Sequence, residues 1–177
     1  MQHQAARAAI ECVRGDITQQ PDMDAVVNAA NAELRPGGGV AGAIHRAAGP
    51  DLDAACRAYA PIAPGQAVIT EAFALPNRFV IHCLGPVYGR DYPADTLLAE
   101  CHRRALALAA EKALESVAFP ALSTGAFGYP VAEAAEIAMR AVIECLGDAP
   151  SVQRLRFVLF GADDLAAFES ALQSTAQ

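Results

Sequence analysis

The chain has 177 residues, of which 54% are hydrophobic, and carries a formal net charge of -7 with one lysine, Lys112, among thirteen basic residues. That length and apolar content suit one domain spanning residues 1–177, while the acidic balance argues against long DNA or RNA as a partner. No apolar run approaches the roughly 18 residues needed to span a bilayer, and residues 1–10 lack the charged start and apolar core of a signal peptide, so a cytoplasmic protein with no membrane partner is expected.

Five cysteines, an odd number with no CxxC pair, read as reduced and mostly buried, with neither disulfide nor metal. Residues 1–7, MQHQAAR, are polar and expected to fray. Ile10, Glu11, Cys12 and Val13 alternate as a strand and run into Gly15-Asp16-Ile17-Thr18, which places Asp16 just past a strand end. Residues 25–27, AVV, form a short buried strand leading to Asn28 and Asn31, two amides that flank two alanines.

Residues 35–49, RPGGGVAGAIHRAAG, come next: three glycines feed a segment with helical apolar spacing that stops at Gly49. Such a junction offers unpaired backbone N–H groups and the positive end of a helix, so it holds anions without basic side chains. The same glycines also fit a plain strand-to-helix turn.

A second short helix is predicted over 50–59 and is broken by PIAPG at 61–65. Residues 66–73 and 79–84 read as antiparallel strands joined by the turn LPNR. A loop rich in Gly, Pro and Tyr over 85–95 leads to a helix over 96–114, with Leu98, Cys101, Ala105 and Leu108 inward. Residues 116–119 form a buried strand that Pro120 stops, opening into the small-residue loop STGAFGY at 123–129. A helix over 130–146, with Ala134, Ala138, Val142 and Cys145 inward, a strand over 155–160 and a helix over 163–172 complete the chain.

This alternation predicts a three-layer α/β/α sandwich around a mixed, largely parallel sheet. Asp16, both asparagines, the 123–128 loop and Phe160 then all fall at carboxyl ends of strands, the edge at which open α/β sheets bind ligands.

Taken together, GDIT (15–18), VVNAAN (26–31), GGGVAGAIHRAAG (37–49) and STGAFGYP (123–130) resemble the macrodomain family of ADP-ribose-binding modules over nearly the whole chain, and HCLGP (82–86) is similar to the family's strand end. The subgroup resembled is the MacroD type, whose members remove ADP-ribose from acidic side chains and deacetylate O-acetyl-ADP-ribose. The resemblance implies that Asp16 accepts a hydrogen bond from the adenine 6-amino group, with the Ile17 N–H beside it, and that Phe160 packs on the adenine. It implies that Gly38, Gly39 and Val40 from one loop, and Ser123, Thr124, Gly125, Ala126 and Phe127 from the other, hold the diphosphate through backbone N–H groups. Phe127 then walls the distal ribose, and Asn31, the one residue assigned to catalysis, bonds that ribose and orients it for attack.

The residues themselves leave alternatives beside these roles. Asp16 also reads as a turn or cap aspartate, Phe160 as a core-filling strand residue, and the Ser123 and Thr124 hydroxyls, Thr124 above all, as internal caps of their loop. Asn28 is assigned to tying loops together. His45 and His82 read as satisfied structural histidines rather than general bases. No Ser/His/Asp or metal-ligand spacing occurs, so no covalent nucleophile, metal or cofactor is expected, and the ligand is ADP-ribose, free or on a modified protein.

One departure bears on activity. MacroD-type loops usually read GGVDG, with an aspartate that helps to activate water; here the sequence is GGVAG, with Ala41 in that place. Water would then be oriented by backbone groups and a phosphate oxygen of the substrate. Two functions stand side by side: a hydrolase, which is favoured, and a non-catalytic reader of ADP-ribosylated proteins. A dinucleotide-dependent oxidoreductase is set aside, because no GxGxxG follows a strand. Oligomeric state is not legible in the sequence.

Overall fold

The computed structural model describes residues 2–5 and 8–175. Its strands are β1 (Gln2–Ala5), β2 (Ala8–Arg14), β3 (Ala25–Ala29), β4 (Ala67–Glu71), β5 (Phe79–Cys83), β6 (Ser116–Phe119) and β7 (Arg154–Leu159). Its helices are α1 (Gly39–Ala48), α2 (Pro50–Cys56), α3 (Ala94–Glu111), α4 (Val131–Cys145) and α5 (Ala162–Thr175). Among the described residues the strands form one sheet in the order β1-β2-β7-β6-β3-β5-β4. The five inner strands are mutually parallel, and β1 and β4 close the two edges antiparallel.

Strand alternation assigns the two faces. Ala25 and Val27, Val117 and Phe119, and Leu155, Phe157 and Leu159 pack with residues of α3, α4 and α5. Val26, Ala118 and Val158 point the other way and pack with Ile44 and Ala48 of α1 and Leu52 and Cys56 of α2. The result is the expected three-layer sandwich on a mixed, largely parallel sheet. Four of the five cysteines are buried and all are free thiols.

Three expectations need correction. The polar start, expected to fray, is ordered over Gln2–Ala5: it pairs antiparallel with β2, with Gln2 opposite Glu11 and Ala5 opposite Ala8. Backbone pairing at a sheet edge needs no apolar side chains, so composition hid it. Met1, Ala6 and Arg7 of that segment, like residues 176–177, lie outside the described residues. The helix expected to reach residue 114 ends at Glu111, because Ala113 adopts φ +54° and the Leu114 N–H returns to the Ala109 carbonyl at 2.9 Å. That left-handed closure usually carries glycine, and an alanine there gives no sequence signal. The last strand stops at Leu159, one residue before Phe160.

Candidate functional site

The parallel strands deliver five loops to one edge of the sheet. β3 stays paired with β5 up to Ala29–Cys83, but its pairing with β6 ends at Val26–Ala118. The sheet therefore parts between β3 and β6 at its carboxyl edge, the position expected of a ligand crevice in an open α/β fold. A cavity of about 340 Å³ occupies the gap, lined by residues 29–31 at the end of β3 and beyond it, residues 37–41 leading into α1, Gly85 after β5, and residues 121–123 and 125–127 after β6.

Two walls of this cavity present main-chain donors. Gly38 caps α1 with no side-chain hydrogen bond, and the first helical bond recorded is Gly42 N–H to Gly38 O at 3.3 Å, which leaves the amides of the opening turn directed outward. In the opposite loop, the N–H groups of Thr124, Gly128 and Tyr129 are bound to Ala121 O, Gly125 O and Ser123 O. Among the described residues no acceptor is matched to the N–H groups of Ser123, Gly125, Ala126 and Phe127. Unpaired amides facing a cavity from two sides form an anion cradle that needs no cationic side chain.

Close approach builds the cradle. A Cβ on Gly42 would stand 2.2 Å from the Gly37 carbonyl oxygen, and one on Gly85 would stand 2.1 Å from Ser123 Oγ. Gly39 takes φ +57°, and Ser123 is held in the same left-handed region at φ +67° with its buried hydroxyl unpaired among the described residues. A non-glycine residue in that conformation is strained, and such residues gather at ligand sites.

The macro domain family model matches residues 27–138. The chain belongs to the macro domain family. It is 43% identical over 173 residues to the O-acetyl-ADP-ribose deacetylase of Enterobacter cloacae subsp. cloacae, covering 95% of this chain and 96% of that protein. Its structure superposes on the Oceanobacillus iheyensis macrodomain with ADP at a TM-score of 0.93 and 40% identity, covering 99% of this chain and 95% of the other. It also matches the Trypanosoma brucei macrodomain in complex with ADP-ribose at a TM-score of 0.85 and 36% identity, covering 92% of this chain and 68% of that one.

Within this macro domain, the cavity brings together Asn31, Gly38, Gly39, Val40, Ser123, Gly125, Ala126 and Phe127 of the residues singled out in the sequence. Thr124 does not line it; its hydroxyl donates to Ala121 O at 2.8 Å, so the internal-cap reading describes it. Asp16, Ile17 and Phe160 sit farther along the same edge, after β2 and β7, and do not line it either. Phe160 is 90% exposed, which removes the core-filling alternative, and its carbonyl accepts from Arg14 Nε at 3.2 Å.

Asp16 forms a turn as well: its Oδ1 accepts from the Thr18 N–H at 2.8 Å and the Thr18 hydroxyl at 2.7 Å. Those bonds, the hydroxyl's first, hold its pKa below the usual carboxylate value. Its Oδ2 remains for another donor. Asn31 is clamped at both ends, Nδ2 donating to Arg35 O at 2.8 Å and Oδ1 accepting from the Arg35 N–H at 3.0 Å. One Nδ2 hydrogen and one Oδ1 lone pair stay available, in an orientation the loop fixes.

The histidines separate. His82 is structural as expected: Asn28 Nδ2 approaches its Nδ1 at 3.1 Å and Thr70 Oγ1 its Nε2 at 3.0 Å. Thr70 donates to Glu71 O, so its oxygen is free to accept from Nε2–H, and the ring is neutral, its pKa pushed down to about 3 by burial and then by nearby His45. Asn28 accordingly ties β3 to β5 rather than loop to loop. His45 departs from its expectation, being buried in α1 with neither ring nitrogen matched to a partner among the described residues, and burial lowers its pKa.

Sequence reading missed the Ser123 conformation and the cluster of Glu11, Gln20, Asp22 and Arg156 beneath the Asp16 turn. The first has no residue-type signal, and the second joins positions more than 130 residues apart.

Proposed function

We propose that this macro domain binds ADP-ribose along the carboxyl edge of its sheet and hydrolyses esters of it. The substrates are O-acetyl-ADP-ribose, which yields acetate and ADP-ribose, and proteins carrying ADP-ribose on acidic side chains. One water is consumed per ester, and no cofactor takes part. The observation that carries this reading is the pair of facing, unpaired N–H arrays around one cavity, at residues 38–41 and at Ser123, Gly125, Ala126 and Phe127, whose chemistry suits a diphosphate on an acidic protein. The adenine falls to Asp16, Ile17 and Phe160, and the distal ribose to Phe127 and Asn31.

Asn31, held by its own loop, orients the ribose ester, and the aligned geometry supplies the rate. A second reading, a non-catalytic reader, draws on a specific feature: no cavity-lining residue is titratable, and Ala41 offers only a methyl group where the helix begins. Hydrolysis without a lining carboxylate relies on backbone groups and a substrate phosphate oxygen to orient water.

The test is acetate release from O-acetyl-ADP-ribose, with ADP-ribose affinity measured in parallel. Asn31→Ala is expected to lower kcat by about 10²-fold with a much smaller loss of affinity. Ala41→Asp is expected to raise turnover, at most by the roughly 10²- to 10⁴-fold typical of a positioned base, while charge repulsion from the diphosphate weakens binding. Binding without turnover in the wild type, with turnover gained in Ala41→Asp, would establish the reader instead.

A further inference from the structure

An ionic cluster lies away from the cavity, under the turn that carries Asp16. Arg156 stands in β7 directly opposite Glu11 of β2, with 14% of its side chain exposed. Its guanidinium contacts Glu11, donates to both Asp22 carboxylate oxygens at 2.8 and 2.7 Å, and donates from Nη1 to Gln20 Oε1 at 2.8 Å. Gln20 is 7% exposed, and its amide nitrogen donates to the Asp16 carbonyl at 2.9 Å. Oxygen toward the guanidinium and nitrogen toward the carbonyl is the one amide orientation that satisfies both contacts. A continuous run of directed bonds therefore leads from two sheet strands, through Arg156 and Gln20, to the Asp16 peptide.

We infer that Gln20, held by Arg156, is a positioning residue that fixes where the Asp16 carboxylate stands, and so sets preference for a purine bearing a 6-amino donor. This rests on the proposed contact between Asp16 and adenine. The Asp16 side chain is locked to its own turn through the Thr18 backbone and hydroxyl, so carbonyl and carboxylate move as one body. Any shift of the peptide that Gln20 holds carries the carboxylate with it. The bond to Arg156 keeps the Gln20 amide from rotating, which a solvated glutamine would do freely. The turn does not depend on that amide for its existence. The Gln19 N–H also donates to Asp16 O at 3.0 Å, and Asn77 Nδ2 donates to the Gln20 and Met23 carbonyls at 2.7 and 2.8 Å. Variants at Gln20 thus keep the loop while losing its aim.

The experiment compares binding of ADP-ribose with inosine diphosphate ribose, which carries a 6-oxo group in place of the 6-amino group. Calorimetry on wild type, Gln20→Ala, Gln20→Glu, Asp16→Ala and the Asp16→Ala/Gln20→Ala double variant gives the preference of each. Gln20→Glu keeps an acceptor for Arg156 but turns the donor at Asp16 O into an acceptor. Both Gln20 variants are expected to reduce the preference for ADP-ribose by about threefold to tenfold, the worth of one hydrogen bond. In the Asp16→Ala background the Gln20 change is expected to alter preference no further. If the Gln20 variants weaken both ligands equally, Gln20 only stabilises the turn and the inference is overturned. If Asp16→Ala itself leaves the preference intact, the adenine contact fails and the inference falls with it. Loss of preference in Asp16→Ala but not in the Gln20 variants removes this inference alone.

Discussion

Around the cavity between β3 and β6 no lining residue carries a charge, and the donors on its two loop walls are main-chain N–H groups held by glycine contacts and a strained serine. At the other end of the same edge the construction is the reverse: the side chains of Glu11, Gln20, Asp22 and Arg156 hold one another, three of them charged, and Gln20 reaches on to the Asp16 carbonyl. Backbone dipoles fixed by packing cannot titrate, are not removed by truncating side chains, and are little affected by salt. Side-chain acceptors are open to all three perturbations. On the proposed function, the difference separates an end that would grip phosphate from an end that would select a base, and each end answers to different perturbations.

The largest effect is expected where the backbone itself is displaced. Gly42→Ala drives a Cβ into the Gly37 carbonyl, so the loop bearing the first N–H array must move. About 2 kcal/mol of ADP-ribose binding should be lost, within the range for overpacking, while adenosine binding is retained. Calorimetry with the two ligands checks this, and equal losses for both would mean that the glycine loop does not address the diphosphate.

Asp16→Ala is expected to cost about 1.5 kcal/mol of ADP-ribose affinity, the low end for a hydrogen bond to a charged group because the carboxylate is exposed. The adenosine complex should weaken by the same amount. A loss confined to ADP-ribose would move Asp16 to the phosphate end.

Acid separates fold from site. His82 and His102 are buried and neutral, with pKa values pushed by burial to about 3 and about 4 from an ordinary 6.5, so the unfolded chain takes up protons that the folded one refuses. Stability is then highest above about pH 6.5 and falls as pH drops toward 4. The Asp16 carboxylate, its pKa lowered by Thr18, stays charged through that window. Melting temperature should decline between about pH 6.5 and pH 5 while ADP-ribose affinity of the folded protein stays level. A parallel decline in affinity would place a titrating group at the ligand.

The smallest effect is expected at Ser123→Ala. Among the described residues the hydroxyl has no partner, and the role assigned to this residue belongs to its N–H, so affinity should change by no more than about 0.5 kcal/mol. A loss well beyond that would transfer the contact from backbone to side chain.

Much of this architecture could be read in the chain. The alternating run at 10–13, the short buried runs at 25–27 and 116–119 and the glycine stop at Gly49 place strands and the α1 terminus because burial and capping act locally. Asp16, Asn31 and Phe160 were located at strand ends by the same logic. The structure supplied what depends on distance between elements: the parting of β3 from β6, the contact of Gly85 with Ser123, and the tie from Arg156 through Gln20 to Asp16. Ala113 and Gln2–Ala5 stayed hidden because backbone geometry, not residue type, defines them.

The central claim, that main-chain amides of two loops hold a diphosphate, is tested most directly by backbone amide NMR during titration with ADP-ribose. Amides of Gly39, Val40, Ser123, Gly125, Ala126 and Phe127 should shift together, downfield as hydrogen bonds to phosphate oxygens form, and should not do so with adenosine. Shifts confined to Asp16, Ile17 and Phe160 with both ligands would contradict the claim and leave the protein a binder of adenine alone.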